Sequence, residues 1–110
     1  MAIDFYIKQA DTLPKIKATL KDSTGAAINL SGGSVAFRMR RKGTTGAPVV
    51  DAAGVITGAA TGQVEYQWTA ANTATVGTYD AEWVVTLGAD KETVPNNGHI
   101  TVQVVDNLLA

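Results

Sequence analysis

Thr78-Tyr79-Asp80-Ala81-Glu82-Trp83-Val84-Val85-Thr86-Leu87 is the longest run of period two in the chain. Tyr79, Ala81, Trp83, Val85 and Leu87 share one side, with Asp80 and Glu82 opposite. Successive side chains of a strand point to opposite faces, so this pattern describes a strand with one buried and one wet face. The same alternation recurs on both sides of it. In residues 15–21, Ile16, Ala18 and Leu20 alternate with lysines and a threonine; in residues 34–40, Val35, Phe37 and Met39 alternate with Ser34, Arg38 and Arg40. Residues 63–69 set Val64, Tyr66 and Trp68 against Gln63, Glu65 and Gln67, and near the end Ile100, Val102 and Val104 alternate with Thr101 and Gln103. Five strands, each with one apolar face, predict an all-β chain of two antiparallel sheets around a shared core.

Turn residues separate these runs at Asp22–Gly25, Ser31–Gly33, Gly43–Gly46, Gly58–Gly62, Gly88–Asp90 and Pro95–Gly98. Weaker strands fit residues 3–8, 48–51, 55–57 and 91–94, for about seven to nine in all. Residues 69–75 look briefly helical, too short for more than a turn between strands. Tyr79 enters the long strand just after Val76-Gly77-Thr78. Immunoglobulin-like sandwiches use such a tyrosine as a corner, its hydroxyl bonded to backbone a few residues upstream. Ala81 would then stand where antibody domains carry a disulfide cysteine. The other reading of Tyr79 is a plain core tyrosine near a strand end.

The chain has 110 residues, which makes one domain, 1–110, with residues 1–9 as an N-terminal strand or arm and 106–110 as a short tail. A chain this size buries roughly 65% of its surface, enough for one modest core. Cysteine is absent, which excludes disulfides, thiolate metal sites and cysteine nucleophiles. Nine basic and ten acidic residues give a net charge of −1, so nucleic acid and anionic membranes are not expected partners. No apolar run approaches the length of a membrane span, and the start Met1-Ala2-Ile3-Asp4 lacks the basic and apolar regions of a signal peptide. Synthesis and use without export are expected.

Catalysis needs a reactive group held against an orienting partner. His99 is the only histidine, beside the Pro95-Asn96-Asn97-Gly98 turn, and no serine sits in a Gly-x-Ser-x-Gly elbow. Asp80 and Glu82 share a solvent face, where they serve solubility more readily than acid–base chemistry. No calcium loop or histidine pair at metal spacing is present, and residues 58–62 lack the lysine of a phosphate loop. The chain is therefore read as a non-enzyme without cofactor or metal. Asn29-Leu30-Ser31 matches a glycosylation acceptor, but without a secretory signal it is read as chance. Two segments remain as contact candidates. Arg38, Arg40, Arg41 and Lys42 form the one charge cluster, either a patch for an acidic partner or an edge strand guarded against pairing. Ile3, Phe5 and Tyr6 precede the regular alternation, and such apolar side chains either cover this domain or insert into a neighbour by adding a strand.

Several pieces in order carry a family resemblance. They are Asp11-Thr12-Leu13-Pro14, Ala18-Thr19-Leu20-Lys21-Asp22 with Gly25, Asn29-Leu30-Ser31-Gly32, and Val35-Ala36-Phe37-Arg38-Met39-Arg40. Ala60 through Trp68, Thr73-Ala74 with Gly77-Thr78-Tyr79, Ala81-Glu82-Trp83, and Thr93-Val94-Pro95-Asn96 with Gly98 continue them. From about Phe5 to Val105 the chain resembles the N-terminal domain of the baseplate upper protein of tailed bacteriophages. The resemblance implies an immunoglobulin-like β-sandwich serving as a non-catalytic structural protein of a virion, multi-copy or homo-oligomeric, docked on other phage virion proteins. In that family the domain anchors a larger polypeptide at the tail tip. With Leu108-Leu109-Ala110 at the end of this sequence, the expectation is a free-standing attachment or assembly module of the baseplate, tail, neck or capsid. The alternative is a carbohydrate- or cell-surface-binding sandwich, which would need an exposed aromatic platform; Trp68 and Trp83 both fall on apolar faces.

Overall fold

The computed structural model describes residues 3–95 and 98–108. The chain folds as an all-β sandwich of two packed sheets, with nine strands among the described residues. These are β1 (Phe5–Lys8), β2 (Ile16–Thr19), β3 (Ser34–Arg41), β4 (Val50–Ala53), β5 (Val55–Gly58), β6 (Gln63–Tyr66), β7 (Gly77–Leu87), β8 (Asp90–Val94) and β9 (Ile100–Val105). Short 3-10 turns at Ala59–Thr61 and Ala70–Thr73 are the helical elements, the second lying inside the stretch read as briefly helical.

The larger sheet runs β1-β9-β7-β3-β4, with β8 also paired to β7; the smaller runs β2-β6-β5. Pairing is antiparallel except between β1 and β9, which run parallel with Phe5 opposite Val102 and Ile7 opposite Val104. β8 and β9 share one side of β7. Val94 pairs with Trp83 and Ile100 with Ala81, so the two strands meet β7 on either side of Glu82. β4 and β5 are nearly one strand, which leaves the larger sheet for the smaller at Gly54. A Cβ there would lie 3.1 Å from Val35 Cγ1 and 3.2 Å from both Glu65 O and Trp83 Cζ3, so the crossing is made where glycine permits a close approach.

The alternating faces point as the sequence predicts. Val35, Phe37 and Met39, Tyr79, Ala81, Trp83 and Val85, and Val102 and Val104 are buried from the larger sheet. Ile16, Val64, Tyr66 and Trp68 meet them from the smaller sheet and its continuation. Phe37 sits among three rings, with centroids 4.8 Å from Trp83, 4.9 Å from Tyr66 and 5.5 Å from Trp68. Burial raises the Tyr66 phenol above its ordinary pKa, and its hydroxyl donates to Asn72 Oδ1 at 2.7 Å. Because the neutral phenol is favoured in the folded state, stability falls as pH rises above the unfolded tyrosine value. Two residues escape the alternation rule: Val84, on the outer side of β7, is 4% exposed, and Thr101, on the outer side of β9, is 7% exposed.

Tyr79 makes the corner bond, its hydroxyl donating to Thr75 O at 2.6 Å. Removing a buried hydroxyl leaves that carbonyl short of a partner. Tyr79→Phe is expected to lose about 1–2 kcal/mol in chemical denaturation with an unchanged circular dichroism spectrum. Trp83→Ala, which opens a cavity against Phe37, is expected to lose about 3–5 kcal/mol. A Tyr79→Phe protein as stable as the parent would show that the hydroxyl contributes nothing to the corner.

Candidate functional site

β3 carries Arg38 and Arg40 outward, as its alternation dictates, but the neighbouring strands answer them with carboxylates. Arg38 lies opposite Glu82 on β7 and Asp51 on β4, and Arg40 lies opposite Asp80. Arg38 Nε donates to Asp51 Oδ1 at 3.3 Å, and Lys42 Nζ donates to Asp80 Oδ1 at 3.1 Å. Two of the four cations of the charge cluster, Arg38 and Lys42, are thus paired with carboxylates of neighbouring strands.

Arg41 departs from the expected patch. Its Nη1 donates to Val76 O at 3.2 Å, and its guanidinium lies 5.8 Å from the centroid of the Tyr79 ring. A Cβ on Gly77 would come within 2.8 Å of the Arg41 guanidinium carbon, so glycine there makes room for it. Arg41 buttresses the tyrosine corner, because it falls on the β3 parity that points toward Tyr79, and it remains exposed. Among the described residues, Arg40 and Glu82 are half-buried and their side chains hold no hydrogen bond or ion pair.

These side chains floor a groove of about 230 Å³, lined by Arg38, Arg40, Asp51, Asp80, Glu82 and His99, with Gly46 and Pro48 at its rim. Sequence reasoning placed His99 beside a turn without linking it to the charged strands. The regular interleaving of Arg38 and Arg40 with Asp80 and Glu82 was the available signal, and it needed the strand register to be read. Chemically the groove can hold a polar or charged group by ion pairing with either sign. Among the described residues, no group of three or more His, Asp or Glu side chains could hold a metal ion. No helix among them is long and apolar enough to cross a membrane.

The N-terminal candidates separate. Asp4 N donates to Thr101 O at 2.9 Å and Thr101 N donates to Asp4 Oδ2 at 2.8 Å, which sets β1 against β9. Phe5 stacks on Trp68 with centroids 5.8 Å apart, and Ile3 is half-buried. Tyr6 alone of the three is well exposed, at 60%. Phe5 thus packs against the core while staying half-buried, and Phe5–Lys8 forms a strand paired within this domain. The parity of β1 decides this, since pairing with β9 turns Phe5 and Ile7 inward together.

Beyond β1 the chain is tied to the turn before β7. Ala10 N donates to Thr73 O at 2.9 Å, Thr73 Oγ1 to Asp11 O at 2.8 Å, and Gln9 Nε2 to Ala74 O at 2.8 Å. Ala10 itself is held at φ 66°, the left-handed region that disfavours a Cβ. Ala10→Gly is expected to raise stability by about 0.5–1 kcal/mol, relief of the Cβ clash outweighing the entropy that glycine adds to the unfolded chain. Thermal unfolding of the variant at or below the parent temperature would show that the position is not strained. Arg38→Ala and Lys42→Ala, which each break one surface ion pair, are expected to change stability by less than about 1 kcal/mol. A larger loss in denaturant titration would mean that the pairs matter to the sheet.

Compared with known proteins, the chain matches no family model and no curated protein sequence.

Proposed function

We propose that this protein is a non-enzymatic structural module of a tailed-phage virion, carried in several copies and docked on other virion proteins. The reading rests on the resemblance to the N-terminal domain of the baseplate upper protein. The observation that carries it is the order of the resembling pieces, which run through β2, β3, β6 and β7 and their turns. Tyr66, Trp68, Tyr79, Trp83 and Phe37, which anchor those pieces, are the side chains that build the sandwich core. The resemblance therefore concerns the residues that make this fold, and the function follows by analogy with the family. In this reading the protein resides in the virion and acts through its surface. Tyr6 and Arg40 are the proposed contact residues that the fold leaves available. A carbohydrate platform is a weaker reading, because both tryptophans are buried to within 1%.

The test is mass spectrometry of purified particles of the phage that encodes the chain. The protein is expected in several copies per particle, and a Tyr6→Ser, Arg40→Ser double variant is expected to fold normally yet enter particles at a reduced level. Particles that lack the protein altogether would overturn the reading. Normal incorporation of the double variant would move the contact elsewhere on the surface.

A further inference from the structure

The two sheets end in five strand edges, because β8 pairs only with β7. All but β4 carry devices that discourage pairing with another chain. β8 itself carries Asp90, Lys91 and Glu92. β2 is preceded by Pro14 and Lys15 and carries Lys17. β5 shifts register against β6 between Ile56 and Gly58, a break that blunts a ladder. β1 carries Lys8 and is paired only in parallel with β9. β4 differs. Its outward residues are Asp51 and Ala53, and the one charge is drawn back across its own sheet by Arg38.

The hydrogen-bond pattern shows what this edge presents. Gly54 N donates to Val35 O at 2.9 Å, and β4 pairs with β3 in the register Phe37–Ala52 and Met39–Val50. In an antiparallel pair, alternate residues direct their N–H and C=O to the same neighbour. Ala52 therefore bonds toward β3, while Asp51 and Ala53 turn their backbone N–H and C=O to the open side. Among the described residues no strand pairs with that side.

We infer that β4 is a self-association edge, on which a second copy of this chain pairs its own β4 antiparallel about a two-fold axis through Ala52. That register places Asp51 of each copy opposite Ala53 of the other, so both exchange N–H···O bonds across the axis and no carboxylate faces a carboxylate. Small side chains at Ala52, Ala53 and Gly54 allow the two backbones to approach. Val49 and Val55, each 51% exposed, lie three residues to either side of Ala52. The two-fold brings the Val49 end of one copy beside the Val55 end of the other, which shelters two of the most exposed apolar side chains of the domain. The inference stands on sheet geometry and is independent of the virion reading.

Analytical ultracentrifugation of the purified chain over a rising concentration series tests it. The parent is expected to pass from monomer to dimer. Ala53→Pro, which deletes an outward N–H, should abolish the dimer. Ala53→Asp should weaken it by about tenfold, because it sets a carboxylate against Asp51 of the other copy on both sides of the axis, whereas Ala53→Lys should tighten it. The chain has no cysteine, so Ala52→Cys supplies a second measurement. Residues facing each other at the axis have Cα atoms about 4.5 Å apart, within disulfide range. Under mild oxidation Ala52→Cys should link into dimers much faster than Ala89→Cys, whose site is exposed on the β7–β8 turn. Circular dichroism and tryptophan fluorescence establish that each variant is folded, and if Ala53→Pro is not, the Asp and Lys variants and the cysteine pair decide. A parent that stays monomeric throughout would overturn the inference. So would Asp and Lys changes that act in the same direction, or equal linking rates at positions 52 and 89.

Discussion

Phe37 is the side chain through which the two sheets hold each other. It projects from the middle of β3 with no exposed surface and meets Trp83 from its own sheet and Tyr66 and Trp68 from the other. Packed sheets stand about 10 Å apart, and the stacked and edge-on rings around Phe37 fill the middle of that gap. With Phe37 inside, the pleat of β3 leaves Arg38 and Arg40 no choice but the outer face. The same cluster reaches the N-terminus, because Trp68 also receives Phe5 and so favours β1 lying beside β9.

That cluster has a cost and a consequence. Neither the Trp68 nor the Trp83 indole N–H finds a hydrogen-bond acceptor, although both are buried. An unmet buried donor opposes folding by about 1–3 kcal/mol, but an indole ring also removes a large apolar area from water. The consequence is for the surface. With five of the seven aromatic rings packed inside and Phe5 half-buried against them, only Tyr6 remains well exposed. Recognition by this domain has to rely on charge, on backbone edges and on scattered apolar side chains.

The outer face of the larger sheet shows how neutralisation and availability differ. Lys42 with Asp80 and Arg38 with Asp51 are satisfied inside the sheet, whereas Arg40 and Glu82 lie one pleat apart on adjacent strands without joining. The groove they floor is close to balanced in charge, which suits a contact chosen for geometry more than for long-range attraction.

Alternation along a strand is a local property, and the sequence alone carried it: the buried faces of β3, β6, β7 and β9, the tyrosine corner at Tyr79 and the turn at Gly58–Gly62 were all legible from residue order. Where a face points follows from its neighbours two residues away. Which strand lies beside it does not. The parallel placement of β1, the burial of Val84 on an outer face, the diversion of Arg41 toward Tyr79 and the pairing of Arg38 with Asp51 all depend on register between segments far apart in the chain. That register is chosen by the collective packing of rings around Phe37. The candidate site was therefore visible as residues but not as a site, since a charge in sequence becomes a surface or a satisfied pair only when the opposite strand is in place.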